Sequence, residues 1–248
     1  MAQKSRTVVN PREAERRRSL MYKIGALIVL IIIAGGVTYW AVNNNKDSES
    51  TTGGSATPTV MTNDAVRITK APKGTEPKAV VNIVEDFQCP ACQSFEQSFG
   101  GALNELAQNP QVAIDYHPIA FLDRMSSTNY SSRAMNASVC VAESTAKEGD
   151  WTKWLTFHNA LFAQQPSEGG SGLPDSDLIR IARDAGAEGI TDCINNNQFG
   201  QWVAKVTGDV TKNPDFQGTP WVRINGETFN AQGGPEGLIQ AVNAAVAK

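Results

Sequence analysis

The stretch Val80-Val81-Asn82-Ile83-Val84-Glu85-Asp86-Phe87-Gln88-Cys89-Pro90-Ala91-Cys92 decides the fold. Its first five residues form a nearly continuous β-branched run, the pattern of a central strand buried on both faces. Beyond it, Ala91, Phe95, Phe99, Leu103 and Leu106 recur at spacings of four and three, which predicts an amphipathic helix over 90–108, kinked at Gly100-Gly101. Cys89 falls at the start of that helix, where unpaired backbone N–H groups and the macrodipole favour a thiolate. Pro90 suits the first turn, since its missing N–H has no partner to lose there. Cys92, one turn in, would be the buried partner. Strand, C-x-x-C and helix in this order point to a redox couple. Two other readings stay open. A structural bridge would close too small a loop to stabilise much. Half a zinc site would need more ligands, and the chain offers no second C-x-x-C and only His117 and His158 as histidines.

Working outward, Ala65–Ile68 and Val112–Tyr116 read as strands, so 65–118 is a β-β-α-β unit. The chain then turns helical for nearly a hundred residues. Asp150 is the expected N-cap of a helix with Trp151, Trp154, Leu155, His158, Leu161 and Phe162 on one face. Pro174-Asp175-Ser176 opens another, which Gly186 ends. Phe199, Trp202, Val203, Val206 and Val210 mark a further helix. Strands return at Trp221–Ile224 and Glu227–Phe229. Asn225-Gly226 between them signals a type I′ hairpin, which needs positive φ at both positions. Pro235 then opens a terminal helix.

The 248 residues are 41% hydrophobic and 19% charged, with four cysteines, which excludes a disordered chain, collagen and a disulfide-dense miniprotein. The charge is unevenly placed. Residues 1–23 carry Lys4, Arg6, Arg12, Arg16, Arg17, Arg18 and Lys23 against Glu13 and Glu15, a net +5, which leaves −8 for the rest of a chain whose total is −3. So acidic a body is a poor nucleic-acid binder. The basic cluster instead precedes Ile24–Val42, 19 uncharged residues that would span roughly 28 Å as a helix. The reading is a single transmembrane anchor, with 1–23 cytoplasmic and everything beyond 43 outside. A cleaved signal peptide is the rival, but its small-residue cleavage site is missing. Residues 43–63, rich in Asn, Ser, Thr and Gly, read as a flexible tether. Outside the membrane the setting is oxidising, and thiol chemistry is expected.

Asp86-Phe87-Gln88-Cys89-Pro90-Ala91-Cys92 resembles the active-site strand and helix start of DsbA-like thiol-disulfide oxidoreductases in the thioredoxin superfamily. Gly218-Thr219-Pro220-Trp221 is similar to that superfamily's cis-proline loop, the alternative being an ordinary trans proline before a strand. The long separation of Cys92 from Pro220 matches the helical insertion of DsbA-like proteins. The single anchor and the extra cysteine pair look most like membrane-tethered actinobacterial members. The resemblance implies an α/β, thioredoxin-like fold (64–119 and 216–248) with an inserted α-helical domain (120–215), preceded by one transmembrane helix. It implies Cys89 and Cys92 as the redox-active disulfide, Pro90, Ala91, Thr219 and Pro220 as active-site support, and substrate peptides held at Gly218 and Thr219. Reduced, unfolded exported proteins are the expected substrates. A quinone-linked membrane protein of the DsbB or vitamin K epoxide reductase type is the expected reoxidant. No bound cofactor or metal is needed, the chain is expected to be a monomer, and its place is the bacterial plasma membrane. A disulfide isomerase, a reductase such as one serving cytochrome c assembly, and a non-catalytic binding module are the alternatives. Two departures from the family stand out. Ile83 occupies the position six before the first cysteine where many relatives carry an acid, so proton transfer falls to Glu85, Asp86 or water. Pro90-Ala91 also lacks the histidine found in strongly oxidising relatives.

With Cys89 and Cys92 assigned, Cys140 and Cys193 remain, and a structural disulfide between them is expected ahead of two buried thiols or a second redox pair. His158 reads as a satisfied core histidine, and neither it nor His117 is expected to be catalytic.

Overall fold

A computed structural model describes residues 53–146 and 149–248. The anchor expected at 24–42, the basic tail at 1–23 and the first part of the tether lie outside these residues. Among the described residues no helix is long and apolar enough to cross a membrane.

In chain order the elements are β1 (Val66–Thr69), β2 (Ala79–Glu85), α1 (Pro90–Leu106), β3 (Val112–Pro118), α2 (Tyr130–Thr145), α3 (Thr152–Ala163), α4 (Asp175–Asp184), α5 (Thr191–Asn195), α6 (Gly200–Thr211), β4 (Trp221–Ile224), β5 (Glu227–Thr228) and α7 (Gly234–Val246). The sheet order is β1-β3-β2-β4-β5. β2 is central, parallel to β3 and antiparallel to β4. The Asn225-Gly226 turn has φ of 50° and 91°, as a type I′ hairpin demands. The Asn225 side chain also accepts from Val80 N–H at 2.8 Å and donates to Lys78 C=O at 2.9 Å, fixing the hairpin to the central strand.

Alternation along the strands sorts the sheet into two faces. Val81, Ile83, Ile114, Tyr116 and Val222 join the main core with α1, α7 and the helices between β3 and β4. Val84 and Trp221 point the other way, into a small cluster with Ile119. Thioredoxin-like elements and inserted helices therefore share one apolar core. α2 runs through it with eleven buried residues, mostly small ones. α3 lays Trp154 against α2, its indole N–H donating to Ser138 Oγ at 2.9 Å. Truncating a tryptophan so completely buried costs about 3–5 kcal/mol.

α1 is one helix through Gly100 and Gly101, where an added Cβ would face open space. The structure differs from expectation in two places. Asp150 lies one residue outside the cap: α3 begins at Thr152, whose N–H is accepted by Asp150 Oδ1 at 3.0 Å. Residues 53–63, read as tether, are instead tied to the inserted helices. Gly54 N–H donates to Asn197 C=O at 2.9 Å and Gly54 C=O accepts from Gln201 N–H at 3.2 Å. Glu143 receives the N–H groups of Thr59 and Val60. Gly53 fits because a Cβ there would meet Gly200 Cα at 2.7 Å. Main-chain bonds of this kind need no hydrophobic periodicity, so composition alone reads the segment as loose.

Candidate active site

β2 ends at Glu85 and a short turn leads into α1. Asp86 holds that turn together. Its buried carboxylate accepts from Gln88 N–H at 2.8 Å, Leu122 N–H at 2.9 Å and Ser131 Oγ at 2.6 Å. Burial lifts its pKa to about 6 against the pull of those bonds. The turn delivers Cys89 to the N-cap of α1 in extended conformation, with Pro90 in the first turn. Three glutamines clamp it to its surroundings. Gln165 donates to the carbonyls of Phe87 at 3.1 Å and Cys89 at 3.0 Å. Gln93 reaches Phe162 C=O at 2.7 Å and Gln88 reaches Ser167 C=O at 3.2 Å. Sequence reasoning missed these residues, because an amide side chain in a helix or loop carries no signal of where it anchors.

Cys89 and Cys92 are both free thiols in this structure and both are buried, Cys89 at 6% and Cys92 at 0% exposure. The two differ sharply in acidity. The hydrogen bond from the Cys92 thiol, then the Thr219 side chain and the N–H groups of Cys92 and Ala91, bring Cys89 down to about 6 in spite of its burial. Cys92 is pushed far up by burial, by the Cys89 sulfur beside it and by the charge of Glu85. At neutral pH one sulfur is therefore a thiolate and the other a thiol. Pro90 and Ala91 are exposed beside them.

Across from Cys89 lies the loop before β4. The Thr219–Pro220 peptide is cis, and Cys89 Sγ lies 3.3 Å from Thr219 C=O. Gly218, at φ 144°, sits in conformational space that a side chain rarely enters. Gly218, Thr219, Pro220 and Trp221 line a groove of about 620 Å³, so Cys89 and the residues expected to hold a peptide lie together. Cys140 and Cys193 lie elsewhere, bonded to each other between α2 and α5 with Cα atoms 6.0 Å apart.

Ile83 is wholly buried and apolar, but Glu85, two residues further and on the same face of β2, is also wholly buried. Its Oε1 meets His158 Nε2 of α3 at 2.6 Å. Glu85, His158 and Glu96 of α1 bring one donor atom each within 4.8 Å of one another, the one such grouping among the described residues. His158 is thus satisfied in the core, but by acids remote in sequence. His117 is separate, its Nε2 3.2 Å from Asn82 Oδ1 and its pKa lowered by burial.

A family model described as Thioredoxin matches residues 74–244. Among curated proteins the chain is similar to the serine/threonine-protein kinase PknE of Mycobacterium tuberculosis, 33% identical over 160 residues, which is 61% of this chain and 28% of the kinase. The chain thus spans little more than a quarter of those relatives. Among solved structures it is similar to oxidised Mtb DsbA, at 38% identity and TM-score 0.64 over 75% of this chain and 94% of that one. Reduced DsbA of Mycobacterium tuberculosis gives 37% and 0.61 over 74% of this chain and 98% of that one. The reduced disulfide bond oxidoreductase DsbG of the same organism gives 37% and 0.61 over 76% and 95%.

Proposed function

We propose that this chain, which belongs to the thioredoxin family and is a DsbA-like thiol-disulfide oxidoreductase, forms disulfide bonds in exported proteins on the outer face of the plasma membrane. The observation that carries the reading is the split acidity of the pair. Cys89 sits near 6 with its sulfur 3.3 Å from the main chain of Thr219, a residue that lines a groove, while Cys92 is held as a buried thiol behind it.

The exchange follows from that arrangement. A substrate thiolate attacks Cys89 Sγ of the oxidised pair, the S–S bond breaks, and its electron pair leaves on Cys92, which takes a proton. A substrate strand lying in the groove would pair with Thr219 and present its cysteine to Cys89. The second substrate thiolate then attacks the substrate sulfur of the mixed disulfide and expels Cys89. A thiol of low pKa leaves readily, so the step that releases product is the one the Cys89 environment favours. Two electrons now reside on the enzyme dithiol, and a quinone-linked membrane protein of the DsbB or vitamin K epoxide reductase type would remove them. Residues 24–42 would hold the catalytic part at the membrane, with 1–23 on the cytoplasmic side. No bound cofactor is needed for the exchange.

Mixing the oxidised full chain with a reduced, denatured exported protein tests the reading. Native disulfides should form at the expense of Cys89–Cys92, and Cys89→Ala should abolish their formation. A variant that still promotes oxidative refolding would identify a binding module instead.

A further inference from the structure

Three donor side chains meet in a buried space between β2, α1 and α3. Glu85 of β2, Glu96 of α1 and His158 of α3 each bring one oxygen or nitrogen within 4.8 Å of the other two, the one such grouping among the described residues. Glu85 and His158 are wholly buried. Glu85 uses only one of its oxygens: Oε1 lies 2.6 Å from His158 Nε2, while Oε2 is buried with no partner. Glu96 Oε1 is likewise buried with no partner. Two carboxylate oxygens left open in one buried space are unfavourable by themselves, and a cation between them would satisfy both.

The surroundings are those of a metal centre. A ligating histidine donates its second ring N–H to a carbonyl or carboxylate, which fixes the ring and its tautomer. His158 does this, with Nδ1 at 3.1 Å from Asn159 Oδ1, and Nε2 is the nitrogen that faces the acids. Trp154 stacks on the ring with centroids 4.9 Å apart, and Tyr116, Phe162 and Phe87 enclose it at 4.9, 5.1 and 5.8 Å. Such an apolar shell strengthens the attraction between an ion and its ligands. Access is from one side. Glu96, Tyr116 and Asn159 also line a cleft of about 230 Å³ between α1 and α3, by which an ion could enter and water could complete its coordination.

We propose that Glu85, Glu96 and His158 form a site for a divalent transition-metal ion of the zinc class, which ties the central strand and the motif helix to the inserted α3. The ion takes no part in the thiol exchange. One imidazole and two carboxylates suit such an ion, whereas Ca²⁺ and Mg²⁺ prefer all-oxygen sets. Charge selects a divalent ion as well. Two carboxylates and a neutral imidazole sum to −2, which Zn²⁺ cancels, while a monovalent ion would leave a charge buried. The Glu85–His158 hydrogen bond holds the proton that the ion displaces. Tetrahedral bonds of about 2.0–2.2 Å set donors about 3.4 Å apart. The 2.6 Å pair therefore opens by about 0.8 Å and Glu96 closes in.

The test is equilibrium dialysis of the untagged, oxidised full chain against Zn²⁺ with Ca²⁺ in large excess. In that form all four cysteines are in disulfides and cannot bind the ion, and the chain has only two histidines, His117 and His158. One Zn²⁺ should be retained per chain, and it should raise the thermal unfolding midpoint. His158→Gln should abolish both effects. Glu96→Gln keeps the Glu85–His158 pair and with it the packing of α3, and should weaken binding about a hundredfold or more. Asn159→Ala, which frees the ring to turn, should weaken it about ten- to a hundredfold. A wild-type chain that retains no stoichiometric Zn²⁺ would overturn the site. So would one Zn²⁺ bound as tightly by His158→Gln or by Glu96→Gln, since the ion would then lie elsewhere, at His117 or on surface acids.

Discussion

Replacing Cys92 with alanine tests what makes Cys89 acidic. The hydrogen bond from the Cys92 thiol is the largest influence holding Cys89 near 6, ahead of the Thr219 side chain and the helix N–H groups. A hydrogen bond to a charged group contributes about 1.5–3 kcal/mol, and each pKa unit is worth about 1.4 kcal/mol. The Cys89 midpoint should therefore rise by about one to two units in Cys92→Ala. The thiolate fraction at pH 7 should fall from about nine-tenths to between a half and a tenth. The sign matters for redox poise. A depressed thiol pKa stabilises the reduced enzyme fully above the ordinary cysteine value, and that stabilisation disappears as pH falls through about 6. At pH 7 it amounts to about tenfold in the exchange equilibrium, or about 30 mV toward a stronger oxidant. Ultraviolet absorbance of the thiolate, followed across pH, reads the midpoint directly. Alkylation rate at one pH would not, since a less acidic thiolate is intrinsically more nucleophilic. A midpoint unchanged from the wild type would refute the role given to Cys92.

Removing the bridge with Cys140→Ala and Cys193→Ala releases a loop of 53 residues and should cost about 4 kcal/mol on the chain-entropy model, measured by urea unfolding, while dithiol exchange at Cys89 persists. Gly101→Ala, in an exposed and uncrowded interior turn of α1, should stabilise the chain by about 0.5–1 kcal/mol in the same assay; a loss would mean that the helix needs its glycine. Asp86→Ala strands the N–H groups of Gln88 and Leu122 and the Ser131 hydroxyl, and a destabilisation of about 3 kcal/mol is expected. A neutral result would show that water replaces the carboxylate.

The motif-bearing half of the fold was legible because its signals are local. The β-branched run before Cys89, proline at the first helical position, and Asn-Gly between two strands each dictate their own geometry. The apolar stripe from Trp151 to Phe162 likewise located α3 to within a residue of its start. What escaped the sequence depends on distant pairing. Glu85 and His158 are 73 residues apart, and each looks ordinary alone, an acid at a strand end and a histidine on an apolar face. Period-two alternation could have shown that Glu85 shares a face with Ile83, placing an acid two steps along from where the family carries one. Nothing local announces Gln165, or the main-chain bonds that tie Gly54 to Asn197 and Gln201.

The claim that the pair makes disulfides rather than breaks them is tested most directly by its reduction potential, measured on the full chain equilibrated against a glutathione series. The account predicts a value near that of DsbA, about −120 mV, with the reduced form favoured by the Cys89 thiolate. A value near about −270 mV, as in thioredoxin, would contradict it and make the chain a reductase.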